Sequence, residues 1–240
     1  MRAIAVIPVK RFAAAKRRLT TSIDDERREA LVAAMLEDVL EAIGEARSIA
    51  QTIVVSDEPR AAAVAAAHCA EVVPDPGADS GQGEGERSDP APAGRVEAER
   101  SEGEGGSHSN AALAGIARAE ELGSTCVVLL PGDCPLLEPR ELDRLLTGLP
   151  ASYVAIVPDR HGSGTNALVL APPRAIRPAF GEGSCARHVA AAREGGVPFA
   201  VEKLASLALD LDTPADVVAL TRALADRPRR ARRTAKALGI

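Results

Sequence analysis

Short, uninterrupted apolar runs alternate with helix-like patterns along most of the chain. The runs AIAVIPV at 3–9 and CVVLLPGD at 126–133 have the length of strands. Between them, apolar residues recur at helical spacing, as at Leu31, Met35 and Val39. Strands without polar alternation are buried on both faces, and right-handed crossovers place the connecting helices over those faces. The pattern predicts an α/β fold with a mainly parallel central sheet flanked by helices.

The same patterns predict the remaining elements. Further strands are expected at 52–56, 71–73, 153–159, 166–172 and 207–209. Further helices are expected at 58–70, 110–122, from Pro139 onward, at 184–196 and at 214–225. Active sites in such folds lie at the carboxyl ends of the strands. The residues that follow the strands are therefore the candidates for function.

Size and composition exclude several classes of protein. A chain of 240 residues with 46% hydrophobic residues can bury one core without disulfides. With 2% aromatic residues and no Trp, it has too few rings for the stacking that binds single-stranded nucleic acid. No apolar run approaches the roughly 20 residues that span a bilayer. Four cysteines without a CxxC pair, and an N-terminal apolar run too short for a signal peptide, predict a reduced, cytoplasmic protein.

The net charge of −5 comes from one segment. Residues 77–109 hold eight acidic and three basic residues, so the remainder of the chain is neutral. Eight glycines and very few apolar side chains leave this segment little surface to bury. We expect a disordered acidic insertion in a single domain that spans residues 1–226. The last residues, 227–240, are rich in arginine and predict a solvated basic tail.

Cationic side chains follow the first strand in the segment PVKRFAAAKRRL. Among them are Lys10, Lys16, Arg17 and Arg18. Cations at this edge of a sheet can hold a polyphosphate, although the segment lacks the glycines of a Walker motif. A solvated basic turn explains the segment equally well.

Aspartates follow two other apolar segments. Asp133 ends the run CVVLLPGD, where Gly132 allows close backbone approach. Asp210 and Asp212 stand two apart in LALDLDTPADV, so on a strand both side chains leave the same face. Carboxylates so placed suit a hard cation such as Mg²⁺. For Asp212 an alternative is that it caps the last helix, which begins at Pro214.

Two glycine-rich segments could bind an anion. The turn DRHGSGTNAL carries Ser163 and Thr165 between two strands, although a plain hairpin would also explain its glycines. Gly181, Gly183 and Ser184 directly precede a helix, where Ser184 can cap the helix while free amides accept a phosphate or carboxylate. This second segment is the stronger indication of an anion site.

No side chain stands out as a catalytic base or nucleophile. His188 lies within the helix after Ser184 and is expected to be a packed or surface histidine. The other histidines are too dispersed for a zinc site, and Cys134 is expected to be a small buried residue.

The order of these segments resembles the guanylyltransferases of deazaflavin coenzyme (F-420) biosynthesis. The matching segments are IPVKRFAAAKRRL, NAAL at Asn110, LLPGDCPLL, DRHGSGTNAL, FGEGSCARH and LDLDTPADV. Members of this family make a guanosine diphosphate adduct of 2-phospholactate or phosphoenolpyruvate. The resemblance implies a Rossmann-like nucleotidyltransferase fold of the GT-A type, with Mg²⁺ as cofactor. The 77–109 insertion departs from the family, which generally has a short loop there.

The resemblance also implies roles for the residues that match its motifs. The implied metal ligands are Asp133, Asp210 and Asp212, and the implied contacts to the acceptor are Thr165, Gly181 and Ser184. Lys16 is implied to face the GTP phosphates and Asn110 the nucleoside, and Lys10 and Gly132 border the same nucleotide site. Lys16 and Asp133 are the expected catalytic residues.

This chemistry needs no protein nucleophile. The acceptor's ionised phosphate can attack the α-phosphorus of GTP if the site positions both substrates and neutralises their charge. A high content of Ala and Arg is typical of GC-rich genomes such as those of actinobacteria, for which the resemblance favours phosphoenolpyruvate over 2-phospholactate.

Two other functions remain open. A nucleotidyltransferase of this fold could act on a sugar phosphate or molybdopterin, although the segment around Ser184 argues against it. A non-catalytic nucleotide-binding regulator would have no need of three carboxylates at one edge. Pyrophosphate release from GTP with an acceptor present would separate an enzyme from a regulator.

Overall fold

The computed structural model describes residues 1–16, 24–77, 93–226 and 230–240. The strands are β1 (Ala3–Pro8), β2 (Ile49–Val55), β3 (Glu71–Val73), β4 (Cys126–Leu129), β5 (Tyr153–Pro158), β6 (Thr165–Ala171) and β7 (Phe199–Val201). The helices are α1 (Asp25–Glu45), α2 (Pro59–Ala67), α3 (Ala93–Glu121), α4 (Pro139–Leu146), α5 (Ser184–Glu194), α6 (Pro214–Asp226) and α7 (Arg232–Leu238). In these residues no helix is both long and apolar enough to cross a membrane.

The strands form one sheet in the order β3-β2-β1-β4-β6-β5-β7. All neighbouring pairs are parallel except that β6 runs antiparallel to both β4 and β5. The predicted mainly parallel sheet is therefore confirmed. Because β5 runs in the same direction as β4, the β5–β6 turn lies at the edge where β1 and β4 end. β6 begins at Thr165 beside the end of β4, since Leu129 pairs with Leu168.

Each face of the sheet has its own hydrophobic core, as strand geometry requires. On β1, Ala5 and Ile7 pack with α1, α2, α4 and α6, whereas Ile4 and Val6 pack with α3 and α5. Helix α3 approaches the sheet closely at Gly115. A Cβ there would lie 2.2 Å from Val6 Cγ1, so only glycine lets the helix pack at this distance. The fully buried strands thus anchor the loops at the carboxyl edge.

The strand predicted at 207–209 is wrong. Residues 207–209 form turns and bends rather than a strand, and the edge strand is β7, at Phe199–Val201. Asp210 and Asp212 therefore do not lie on a strand. They lie on an irregular segment that is held in place because Asn166 Nδ2 donates to Leu207 O (2.7 Å) and Leu211 N to Asp133 O (3.3 Å).

The acidic insertion is not disordered throughout. The backbone is helical from Ala93, so α3 starts well before Asn110. Residues 78–92 lie outside the described residues.

The basic C-terminus is a docked helix rather than a solvated tail. Asp38 on α1 is buried, and its carboxylate accepts hydrogen bonds from Thr234 N (2.8 Å) and Thr234 Oγ1 (2.7 Å). It also accepts one from Arg233 N (3.2 Å). A carboxylate supplied by α1 thus binds the free amides at the start of α7, where a negative charge is favourable. Residues 227–229 lie outside the described residues.

Replacing Asp38 with alanine should release α7. Three hydrogen bonds to a buried carboxylate are lost, so the free energy of unfolding should fall by about 2 kcal/mol. Urea unfolding measures this, with Glu41→Gln as the matched control. Glu41 makes an exposed ion pair with Arg233, and its loss should cost under about 0.5 kcal/mol. Equal effects from the two substitutions would show that Asp38 does not hold the helix.

Candidate functional site

Lys16 joins two of the predicted aspartates at the carboxyl edge of the sheet. Its Nζ donates hydrogen bonds to Asp133 Oδ2 and to Asp212 Oδ1. The Lys16 side chain is 8% exposed, and its backbone has a φ of 56°, which residues with a Cβ rarely adopt. Such strained conformations cluster at functional sites. The structure therefore brings together residues from three distant parts of the chain, as the sequence predicted.

The electrostatics of this group are unbalanced. Burial lowers the pKa of Lys16, but the charges of Asp133 and Asp212 and their hydrogen bonds outweigh it, so the pKa lies above its ordinary value. Burial, together with the charges of Asp133 and Asp212, raises the pKa of Asp210 to about 6. Three carboxylates against one ammonium leave two negative charges when all are ionised.

Arg28 on α1 holds the loop that carries Lys16. Its guanidinium is buried and donates to the carbonyls of Phe12 (3.2 Å), Ala13 (3.1 Å) and Ala15. On the other side of the loop, Glu58 accepts from Phe12 N (3.1 Å). The sequence analysis missed Arg28, because an arginine in the first turn of an amphipathic helix looks like a solvated residue.

Asp212 is not the cap of α6. Asp216 Oδ2 accepts from Asp212 N (3.0 Å), Thr213 N (2.7 Å) and Thr213 Oγ1 (2.8 Å), as in the reciprocal half of a capping box. The other carboxylate oxygen of Asp216 faces Arg160 in an ion pair. The capping alternative for Asp212 is therefore wrong, and its carboxylate is available to Lys16 or to a ligand.

The aspartates have the chemistry of a hard-cation site, although Lys16 lies between two of them. Among the described residues, Asp133 Oδ1 is buried without a hydrogen-bond partner. Oxygen ligands with excess negative charge are what Mg²⁺ prefers. As the side chains stand, no three acidic, histidine or cysteine residues in the described ranges are arranged to hold a metal ion. Metal binding here would require Lys16 to leave at least one carboxylate.

The predicted acceptor residues Thr165 and Ser184 meet at the same edge of the sheet, where β6 begins beside the end of β4. Ser184 Oγ donates to Thr165 Oγ1 at 3.1 Å, linking the start of α5 to the start of β6. The N-cap of α5 is Gly183, with a φ of 69° and no side-chain hydrogen bond, so Ser184 does not cap the helix as expected. Gly181, with a φ of 101°, lies in the preceding turn. Both glycines have a backbone conformation that other residues rarely adopt.

His188 is a functional candidate for which the sequence predicted only a packed or surface position. It is fully buried on α5, with Nδ1 3.0 Å from Thr165 Oγ1, and its Nε2 accepts from Ala179 N at 2.9 Å. The ring also packs edge-on against Phe180. A histidine four residues after the serine predicted to bind an anion was the available signal, since both then lie on one helix face.

The predicted nucleotide-binding residues Lys10 and Asn110 lie on different elements. Lys10 follows β1 and lies near His108, whose pKa is lowered by burial and then by the charge of Lys10. Asn110 is exposed on α3, next to Ser109, whose Oγ accepts from Phe180 N (3.0 Å). The sequence pattern had excluded His108 only as part of a zinc site.

Gly132 serves core packing in the structure. A Cβ on it would lie 3.3 Å from Leu36 Cδ1, so the missing side chain makes room for α1. A role for Gly132 in nucleotide binding stays a prediction. Arg17 and Arg18 lie outside the described residues.

Cys134 is packed beneath the site. Burial raises the pKa of its thiol well above the ordinary value, with further contributions from Asp133 and Asp210. A thiol is a nucleophile only as the thiolate. Cys134 therefore acts as the small buried residue that the sequence predicted.

Sequence comparisons identify the chain's relatives. The profile of the family described as "Guanylyl transferase CofC like" matches residues 1–79 and 103–234. A phosphoenolpyruvate guanylyltransferase of Conexibacter woesei is 40% identical over 95% of this chain and 91% of its own. A 3-phospho-D-glycerate guanylyltransferase of Phenylobacterium zucineum is 34% identical over 91% and 89%. The unmatched residues 80–102 fall within the predicted insertion.

Solved structures share the fold at low sequence identity. A protein described as a nucleotide-diphospho-sugar transferase, from Desulfovibrio desulfuricans, has a TM-score of 0.66 at 16% identity, covering 99% of this chain and 94% of its own. A nucleotidyl transferase from Methanothermobacter has a TM-score of 0.59 at 17% identity, covering 94% and 99%. These likenesses confirm the nucleotidyltransferase fold.

Burial of His188 should make stability depend on pH. Burial, and then the charge of Arg187, lowers the pKa of His188 from 6.5 to about 4. Between these pH values the unfolded chain binds a proton at this histidine and the folded protein does not. The free energy of unfolding therefore falls as the pH drops from about 6.5 to about 4. The loss should approach about 3 kcal/mol.

Urea unfolding of wild type and His188→Gln at pH 7 and pH 4.5 measures this effect. The difference in unfolding free energy between the two proteins should shrink at the lower pH. A difference that stays constant with pH would show that His188 titrates normally.

Proposed function

The chain belongs to the guanylyl transferase family whose profile it matches, and we propose that it transfers GMP from GTP to the phosphate of phosphoenolpyruvate. The products would be enolpyruvyl-diphospho-guanosine and pyrophosphate. The observation that carries the proposal is that the Lys16 group and the Thr165–Ser184 pair lie at the same edge of the sheet, after the end of β4 and at the start of the neighbouring β6. We assign the first group to a metal triphosphate and the second to the anionic acceptor.

In this proposal the protein acts by positioning and charge. The phosphate of the acceptor is itself the nucleophile toward the α-phosphorus of GTP, and pyrophosphate leaves. Thr165, Ser184 and the backbone around Gly181 hold the acceptor. Lys16 leaves its aspartates and donates to the triphosphate, which offsets the charge that builds up on the departing oxygens. Lys10 and Asn110 complete the nucleotide side.

The aspartates supply the other half of the charge balance. Asp133, Asp210 and Asp212 would hold Mg²⁺, whose charge neutralises phosphate oxygens when it is bound. The partnerless Asp133 Oδ1 and the raised pKa of Asp210 support this assignment. With the cation in place, Lys16 is no longer needed between Asp133 and Asp212. The ammonium is then free to serve the nucleotide.

Relatives differ in the acceptor named for them. Those from Conexibacter woesei and Sphaerobacter thermophilus are named for phosphoenolpyruvate, at 40% and 38% identity. The relative from Phenylobacterium zucineum, at 34%, is named for 3-phospho-D-glycerate. Identity therefore favours phosphoenolpyruvate, and 2-phospho-L-lactate remains the alternative within coenzyme F-420 biosynthesis. The cysteines are all unpaired, which supports a reducing compartment such as the cytoplasm.

The acceptor is tested by direct competition. Purified protein is incubated with GTP, Mg²⁺ and equal amounts of phosphoenolpyruvate, 2-phospho-L-lactate and 3-phospho-D-glycerate, and the adducts are weighed by mass spectrometry. The enolpyruvyl adduct should dominate. Dominance of either other adduct would overturn the acceptor but keep the chemistry, whereas pyrophosphate release without an adduct would overturn the function.

Replacing the aspartates should separate catalysis from folding. Asp133→Asn and Asp210→Asn should each lower turnover by about 100-fold or more, because asparagine keeps the shape but lacks the charge that binds the cation. Without metal, Asp210→Asn should melt at a higher temperature than wild type, since burial and like charges disfavour the ionised carboxyl.

The matched control is Glu194→Gln, an exposed carboxylate at the far end of α5. It should keep wild-type turnover. Wild-type turnover in either aspartate variant would remove that residue from the metal site.

A further inference from the structure

The buried His188 has one defined protonation state. A backbone N–H can only donate, so His188 Nε2, which accepts from Ala179 N at 2.9 Å, carries no proton. The ring is fully buried, and burial keeps it neutral at ordinary pH. Its single proton is therefore on Nδ1, which lies 3.0 Å from Thr165 Oγ1 and donates to it.

This tautomer decides what the two hydroxyls can offer a ligand. Thr165 and Ser184 share one hydrogen bond, which uses one of their two hydroxyl hydrogens. Because His188 Nδ1 donates its own proton to Thr165 Oγ1, the hydroxyl hydrogen of Thr165 remains free to donate to a ligand. With the other tautomer, Thr165 would donate to His188 and Ser184 to Thr165. The pair would then present only lone pairs, which repel an anion.

Arg187 fixes the turn before α5, which carries the Ala179 N–H that selects the tautomer. Arg187 donates to the carbonyls of Ala179, Phe180 and Glu182. These bonds hold the turn so that Ala179 N faces His188.

We propose that His188 is a positioning residue that directs a hydroxyl hydrogen of the Thr165–Ser184 pair toward the anionic group of the acceptor. The inference rests on the proposed function, because it takes this pair as the acceptor site. His188 itself touches no reacting atom. It acts through Thr165, and Ala179 N selects its tautomer.

Two substitutions of His188 separate the hydrogen bond at Nε2 from the one at Nδ1. Glutamine places an oxygen near Nε2 and keeps the bond from Ala179 N, but it removes the donor to Thr165. Asparagine places an N–H near Nδ1 and keeps that donor, but it leaves Ala179 N unpaired. His68→Gln, on the C-cap of α2, is the matched control.

The experiment measures binding of phosphoenolpyruvate without GTP by titration calorimetry, together with thermal melting. His188→Gln should weaken binding about tenfold, the value of one hydrogen bond. His188→Asn should bind more tightly than His188→Gln even where it melts at a lower temperature. A purely structural role predicts that the variant with the lower melting temperature also binds phosphoenolpyruvate more weakly. Affinities that follow the melting temperatures in this way would overturn the inference.

The tautomer is read directly in the wild type. Nitrogen NMR of ¹⁵N-histidine-labelled protein should show His188 protonated on Nδ1, with and without phosphoenolpyruvate. A proton on Nε2 would overturn the inference whatever the variants do. If the tautomer and the binding are as expected but wild type releases no pyrophosphate from GTP and phosphoenolpyruvate, the proposed function fails and the positioning role stands.

Discussion

Lys16 between Asp133 and Asp212 is the interaction on which the rest of the site depends. Buried charges are costly unless they are paired, and three carboxylates at one sheet edge would otherwise repel each other. One ammonium only partly balances them, and burial, together with the charges of Asp133 and Asp212, raises the pKa of Asp210. The carboxylates left in excess are the groups to which the proposed function assigns Mg²⁺.

The surrounding structure keeps these groups in register. Arg28 holds the loop that precedes Lys16 by its carbonyls, and Asn166 holds the segment before Asp210 through Leu207 O. On the acceptor side, His188 and Arg187 hold the turn before α5. In each case a side chain on a regular element holds the backbone of an irregular segment. Most of the candidate site residues lie on loops or at the first residues of helices and strands, and the regular elements determine their geometry.

Most of the fold followed from the sequence because it rests on local patterns. Buried strands such as β1 are continuous apolar runs, and α5 begins directly after Gly183. The predicted strand at 207–209 failed because tertiary hydrogen bonds from Asn166 and to Asp133 O hold this apolar segment without a partner strand. The docking of α7 could not be predicted from local patterns for a similar reason, because it depends on Asp38, which is far away in sequence.

The candidate site was predictable to the extent that its residues follow strands. Asp133, Thr165 and Ser184 lie where the sequence placed them, at one edge. Arg28 and His188 were not predicted as site residues, because each acts on backbone or hydroxyl groups that only the folded chain brings within reach. Composition and spacing carry no signal for such contacts.

The most direct test is a crystal structure with Mg²⁺, phosphoenolpyruvate and a GTP analogue that cannot be cleaved between the α- and β-phosphates. We expect the metal to contact Asp133 and at least one of Asp210 and Asp212, Lys16 to have moved onto the triphosphate, and the acceptor to lie against Thr165 and Ser184. A complex in which Lys16 still joins Asp133 to Asp212, with the triphosphate bound elsewhere, would contradict this expectation.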